Sequence, residues 1–233
     1  MDNRNLKKLV IIPAYNEESS IEAQYEEVRK QAPDYDVLVI NDGSGDRTAE
    51  LCYNHHIEYL DLAVNLGIGG AVQTGYRYAA LNGYDIAVQV DGDGQHDPAY
   101  LPSLCEALLQ QGADMVVGSR FIEKEGDQSG RIRRMGIRYF SRLIRLLCGQ
   151  RITDPTSGLR MVGRKLIEEF ASDYPQDYPE PESIVRVLKN GYTVTEIPVR
   201  MRKRAGGRSS IRPAGAIYYM VKVTIAVILE RMR

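Results

Sequence analysis

Short apolar runs recur through the first half of the chain: Leu9-Val-Ile-Ile12, Val37-Leu-Val-Ile40, Ile86-Ala-Val-Gln-Val90 and Met115-Val-Val117. Between them lie stretches with helical periodicity, at residues 19–31, 48–55, 69–81 and 98–111, and a further strand is expected at 57–62. Strands that are apolar throughout, rather than alternating, are covered on both faces, and parallel pairing needs a crossover helix between strands. The pattern predicts an α/β fold with a mostly parallel central sheet and helices on both faces.

The second half is less regular. Residues 123–130 read as a polar loop, 131–147 as a helix, 151–163 as a turn entering a short strand, and 181–190 as a helix. Residues 192–201 read as a strand, with Pro198 favouring an edge position. A basic loop follows over 202–212, and a last helix starts near Pro213. The expected division is a domain over 1–200 (a first half to 120, a second from 121) and a C-terminal piece over 201–233 with a docking helix. Arg131, Arg134, Arg138, Arg142 and Arg145 share one helical face, opposite Tyr139, Phe140, Leu143 and Leu147. A basic amphipathic helix of this kind suits an anionic membrane surface or a phosphate group.

The net charge of −1 excludes a uniformly basic nucleic-acid binder, and no nucleic-acid partner is expected. Cys52, Cys105 and Cys148 suit neither a disulfide framework nor a zinc site and point to a reducing cytosol. Residues 1–5 run straight into the first strand without a signal peptide, and the apolar stretch 216–229 is interrupted by Lys222.

Chemistry concentrates at the strand ends. Asp91-Gly-Asp93 places two carboxylates one residue apart where a strand meets a glycine turn, a donor pair suited to Mg²⁺ or Mn²⁺ shared with substrate phosphates. Glu17 and Asp42 follow two other strands, and acids converging at one sheet edge call for a cation or a donor-rich ligand. The turn after the first strand, Pro13-Ala-Tyr-Asn-Glu-Glu18, contains no glycine, which excludes a dinucleotide fingerprint, and no Walker lysine motif is present.

Pro13-Ala-Tyr-Asn-Glu-Glu18, Asn41-Asp-Gly-Ser44 with Asp46 and Thr48, Asn65-Leu-Gly-Ile-Gly-Gly70 and Asp91-Gly-Asp-Gly-Gln-His-Asp-Pro98 follow one another in order, then Gly118-Ser-Arg120 and Asp154-Pro-Thr-Ser-Gly-Leu-Arg160. Together they resemble the family 2 inverting glycosyltransferases of GT-A fold, and within them the polyprenyl-phosphate sugar transferases, the branch containing dolichyl-phosphate mannose synthase. The resemblance implies that Pro13, Tyr15, Glu17 and Asp42 surround the nucleoside of a nucleotide sugar. It implies that Asp91 and Asp93 hold Mg²⁺ or Mn²⁺ on the diphosphate, with Gln95 and Asp93 near the reacting centre. Arg120 and Arg134 would meet the phosphate of a polyprenyl (undecaprenyl) acceptor. The sequence lacks Gln-x-x-Arg-Trp and any tryptophan, unlike processive cellulose or chitin synthases, and carries Ile68 where many relatives have lysine.

The expectation is sugar transfer from a UDP-sugar, glucose or N-acetylglucosamine ahead of mannose. The enzyme would be cytoplasmic and peripheral at the inner face of the cell membrane, with a small integral membrane protein as a possible partner. Two alternatives stay open: a transferase using a sugar or protein hydroxyl, for which Asp154 and Glu182 offer candidate bases, and a non-catalytic nucleotide-sugar sensor docked on a membrane protein.

Overall fold

The computed structural model describes residues 6–123, 131–202 and 216–232. The first half contains β1 (Lys8–Ala14), α1 (Ile21–Gln31), β2 (Asp36–Asn41), α2 (Thr48–Asn54), β3 (Tyr59–Asp61), α3 (Gly67–Leu81), β4 (Ile86–Gln89), α4 (Leu101–Gln110) and β5 (Met115–Ser119). The second contains α5 (Arg131–Cys148), β6 (Arg160–Gly163), α6 (Arg164–Ser172), α7 (Pro179–Lys189), β7 (Val194–Pro198) and α8 (Ala216–Met232).

The strands form one seven-stranded sheet in the order β3-β2-β1-β4-β6-β5-β7. Neighbours pair in parallel except at β6, which is antiparallel to both β4 and β5. Side chains alternate across the sheet as strand geometry requires. Leu9 and Ile11 of β1 enter one apolar layer with Tyr76, Phe140, Phe170 and Val185, from α3, α5, α6 and α7. Val10 and Ile12 enter the other, with Ile21, Val28, Cys52 and Leu104 from α1, α2 and α4. Helix α3 lies so close to β1 that a Cβ on Gly75 would stand 2.3 Å from the Ile11 side chain, so only glycine fits there.

Most expected elements are present, and β7 takes the edge position that Pro198 suggested. Helix α6 was not anticipated, although Leu166, Ile167 and Phe170 supply its buried stripe. Helix α7 starts at Pro179, two residues before the expected position. In α5 the buried face is Ile137, Phe140 and Ile144, while Tyr139, expected on the apolar side, is exposed and meets Thr224 Oγ1 through its hydroxyl at 3.1 Å. Arg138, Arg142 and Arg145 are exposed on α5, as the basic-face reading requires. The side chains of Arg131 and Arg133 lie outside the described residues, as do Arg204, Gly206, Gly207, Arg208, Arg212 and Pro213 of the expected basic loop and helix start.

Helix α8 is apolar on two sides. Val223 and Val227 are buried, whereas Tyr218, Val221, Ile225, Leu229 and Met232 form an exposed stripe at i, i+3, i+4 and i+7 spacing. Its inner side is locked by Glu230, whose carboxylate accepts from Arg186 Nε and Nη2 at 2.9 Å each, while Lys189 Nζ donates to the Glu230 carbonyl. Among the described residues no helix is long and apolar enough to cross a membrane.

Glu182, in the first turn of α7, is pushed up to about 7 by burial and by the nearby Glu230 and Asp177 carboxylates. A carboxyl group whose folded pKa is raised holds its proton more tightly when folded, so stability falls as pH climbs from the ordinary glutamate range through that value. Glu182→Gln, which mimics the protonated form, should therefore raise the melting temperature at about pH 8 and change it little at about pH 5. Thermal unfolding followed by circular dichroism at both pH values checks this.

Candidate active site

Because β1, β2, β3, β4, β5 and β7 all run the same way, their C-terminal ends share one edge of the sheet. Antiparallel β6 brings its N-terminal end to that edge, with Gln89 of β4 paired to Arg160. The chain goes from β1 outward to β2 and β3, then returns to place β4 on the other side of β1. This reversal is the switch point at which open α/β sheets bind ligands.

The first wall of the crevice is a clamp between two loops. Asn16, at φ 57°, donates its N–H to Ser44 Oγ and accepts from Gly45 N through Oδ1, at 2.9 Å each. Glu17 N–H donates to Thr48 Oγ1 at 3.0 Å, and Glu17 Oε2 accepts from Ser20 Oγ. Burial works against the Asp46 carboxylate, but donors from Thr48 and the Glu18 N–H outweigh it and hold the group below its ordinary pKa. Tyr15 stands out from this clamp at 52% exposure, while Glu17 and Asp42 are buried. Burial raises the Asp42 pKa against the opposing N–H groups of Leu66 and Gly67, and Leu66 N donates to Asp42 Oδ1 at 2.7 Å.

Next to it lies the Asp91–Asp93 turn. Asp91 is partly exposed, Asp93 is buried, and Asp93 Oδ1 accepts from Gln95 N at 2.9 Å. A Cβ on Gly92 would come 3.2 Å from the Pro13 carbonyl oxygen, so this turn lies against the end of β1. The donor set suits a hard divalent cation, being carboxylate oxygens in a number that leaves positions for phosphate oxygens. Among the described residues no group of three or more His, Cys, Asp or Glu is arranged to hold a metal ion.

The second wall comes from the other half. The turn before β6 carries Asp154, fully buried, whose carboxylate accepts from Arg120 Nε at 2.6 Å and Arg120 Nη2 at 2.7 Å. Thr156 Oγ1 also accepts from Arg120 Nη2 at 2.9 Å. Glu196 of β7 receives Thr153 N, Thr153 Oγ1 and Asp154 N, and burial raises its pKa. The turn ends at Gly158, packed so closely that a Cβ there would stand 2.9 Å from Asp91 Oδ2. Arg160, 1% exposed, ties the turn to α7 by donating to the carbonyls of Ser157, Pro155 and Glu180 and to Ser183 Oγ.

The family model for glycosyl transferase family 2 matches residues 9–170, the span that carries the first wall and the Asp154–Gly158 turn of the second. The chain belongs to this family. Among its relatives it is 29% identical to the polyprenol monophosphomannose synthase of Mycolicibacterium smegmatis, over 93% of this chain and 85% of the relative. It is also 29% identical to the undecaprenyl-phosphate mannosyltransferase of Micrococcus luteus, over 88% of each. An uncharacterized protein of Methanocaldococcus jannaschii, MJ1222, is 30% identical over 82% of this chain and 79% of its own length. The fold matches glucosyl-3-phosphoglycerate synthase from Mycobacterium tuberculosis, solved with Mn²⁺, uridine diphosphate and glucosyl-3-phosphoglycerate. That superposition has a TM-score of 0.73 at 22% identity, covering 97% of this chain and 80% of the other. The architecture is thus GT-A, and the protein is a glycosyltransferase.

In this family 2 chain the structure brings Pro13, Tyr15, Glu17, Asp42, Asp91, Asp93, Gln95 and Arg120 to one sheet edge through the loops that follow β1, β2, β4 and β5. Arg134 lies on α5, half-buried, and no hydrogen bond or ion pair engages it among the described residues. Gln95 exchanges hydrogen bonds with residue 202: Arg202 N donates to its carbonyl at 3.0 Å and Gln95 Nε2 to the Arg202 carbonyl at 3.4 Å. Sequence reasoning did not single out Gln89 and took His96 and Arg160 only as members of their motifs; all three are buried at this edge. For Gln89 the available signal was its polarity within the apolar run Ile86–Val90. Breaking a buried ion pair from one side leaves an uncompensated charge, so Asp154→Ala should destabilise the protein by about 3–5 kcal/mol. Urea unfolding of the variant against wild type measures this.

Proposed function

We propose that this glycosyltransferase transfers a sugar from a nucleotide sugar to a polyprenyl phosphate, with inversion, at a membrane surface. The observation that carries the reading is the approach of the two walls: the Gly158 backbone lies so near Asp91 that a Cβ there would stand 2.9 Å from its Oδ2, which sets the proposed donor and acceptor sides against each other. The names of the relatives from Mycolicibacterium smegmatis and Micrococcus luteus agree with a polyprenyl-phosphate acceptor. A UDP-sugar donor draws support from a relative in Methanococcus voltae named for UDP-N-acetylglucosamine, 28% identical over 82% of this chain.

Asp91 and Asp93 would hold Mg²⁺ or Mn²⁺, which when bound supplies charge neutralisation to the diphosphate leaving group. Pro13, Tyr15, Glu17 and Asp42 would seat the nucleoside, Tyr15 by its exposed ring and Asp42 by its buried carboxylate. Gln95, held by the chain at Arg202, would stand beside the reacting carbon. Arg134 would receive the acceptor phosphate, with Arg120 contributing from its seat on Asp154. An acceptor phosphate is already anionic near neutral pH and needs no general base, whereas a hydroxyl does. Of the two acids a hydroxyl would draw on, Asp154 is held by Arg120, whereas Glu182, raised to about 7, stays suited to a base.

The exposed stripe of α8 and the arginines of α5 supply apolar and cationic surface suited to peripheral attachment to an anionic bilayer. A small integral membrane protein would fit the same surface.

Titration calorimetry should show UDP affinity rising with Mn²⁺, and Asp93→Ala should abolish the rise; equal affinity in chelator and Mn²⁺ removes the metal assignment. Incubation with radiolabelled nucleotide sugars and undecaprenyl phosphate, followed by lipid extraction, should give labelled lipid. Arg134→Ala should lose most of that label while retaining UDP binding, and Arg120→Ala should do the same if it folds. Wild-type transfer by these two and by Arg133→Ala, the neighbouring arginine on the same helix, rules out the phosphate-acceptor assignment. In flotation with anionic liposomes, high salt should weaken the contribution of the α5 arginines, while Ile225→Asp with Leu229→Asp should release the remainder. Binding untouched by either change would exclude this surface.

A further inference from the structure

We propose that Gln89 and His96 are positioning residues that aim the Asp91 carboxylate at the divalent cation of the donor diphosphate, with Gly158 as the wall it rests against. This builds on the reading of Asp91 as a metal ligand.

Gln89 is the polar exception in β4, 1% exposed beside Ile86, Ala87 and Val88. A buried amide is costly unless it is hydrogen-bonded, and Gln89 Nε2 donates to Asp91 Oδ1 at 2.9 Å. The strand register fixes Gln89 from both sides, against Ile11 of β1 and Arg160 of β6. The tether on Oδ1 therefore starts from a strand paired on both sides.

His96 holds the other side of the same residue. Its ring is 3% exposed, and Nδ1 accepts from the Asp91 main-chain N–H at 2.9 Å. That places the ring proton on Nε2, which lies 3.6 Å from Asp91 Oδ2, close enough for attraction but longer than a hydrogen bond. The His96 carbonyl is in turn gripped by Gln24 Nε2 of α1 at 3.3 Å. Behind the carboxylate, a Cβ at Gly158 would stand 2.9 Å from Asp91 Oδ2 and 3.1 Å from Oδ1, so a side chain there would displace the carboxylate. The two oxygens of Asp91 are thus distinguished before any ligand arrives. An orienting shell of this kind typically changes metal affinity by 10–100-fold when removed.

The test is UDP binding measured across a Mn²⁺ series and in EDTA. Gln89→Met removes the donor to Oδ1 and keeps volume. His96→Asn keeps a carbonyl oxygen to accept from the Asp91 N–H but withdraws Nε2, and Gly158→Ala pushes on Oδ2. Each should raise the Mn²⁺ concentration for half effect by about 10–100-fold, while UDP affinity in EDTA stays at the wild-type value. Thermal melts identify any variant that fails to fold, and the remaining ones carry the test. If wild-type protein shows no metal effect, the underlying reading of Asp91 fails. If wild type and Asp93→Ala behave as a metal site requires, but the folded variants titrate like wild type, the positioning role alone is wrong. Equal loss of affinity in EDTA would also overturn it, as a general defect of the fold.

Discussion

An antiparallel strand set inside a parallel sheet presents its N-terminal end where its neighbours present their C-terminal ends. Here that strand is β6, paired to β4 through Gln89 and Arg160 and to β5 through Val117 and Arg160. Everything that distinguishes the second wall follows from this insertion. The Asp154–Gly158 turn reaches the ligand edge only because β6 enters from there. Arg120, leaving β5 at the same edge, meets Asp154 for that reason, and Arg160 can reach α7 because it sits at the first position of the reversed strand.

Polar groups are buried at this junction at considerable density, and they are stabilised by partners from distant parts of the chain. Arg120 is neutralised by Asp154, Glu196 is fixed by donors from residues 153 and 154, and Gln89 is spent on Asp91. In a low-dielectric surrounding such groups hold geometry when satisfied and are costly when not. The β4–β6 side of the edge is thus built of satisfied buried polar groups, whereas Tyr15 stands out from the first wall.

The first half was legible in the sequence because each strand there is an uninterrupted apolar run with a turn after it. Asp42 and Asp91 could be placed at a common edge as soon as parallel pairing was inferred. The direction of β6 was not legible: a four-residue strand has the same pattern either way, and only its neighbours decide. Helix α6 escaped because Leu166, Ile167 and Phe170 follow β6 with no loop to announce a new element. Tyr139 was assigned by helical angle to the apolar face, but its ring is exposed and only its hydroxyl meets Thr224 of α8. Gln89 read as a strand residue and His96 as part of the turn after it, because a hard cation seldom takes an imidazole and the contacts of both with Asp91 are not visible in the sequence.

Residue 202 bears on when in the life of the chain the site comes into being. Its main chain closes on Gln95, and its guanidinium bridges Glu27 of α1 and Asp97. The Asp91–Asp97 segment is therefore braced by a residue made more than a hundred positions later. During synthesis, chains emerge from the N-terminal end and contacts of long sequence separation form late. A nascent chain that has completed β1 to β5 already holds both acidic residues of the turn but neither the Arg202 brace nor the Gly158 wall. The Asp91–Asp97 segment is thus completed only after the last strand has been added to the sheet, and a half-made protein holds its acidic pair without the neighbours that brace it.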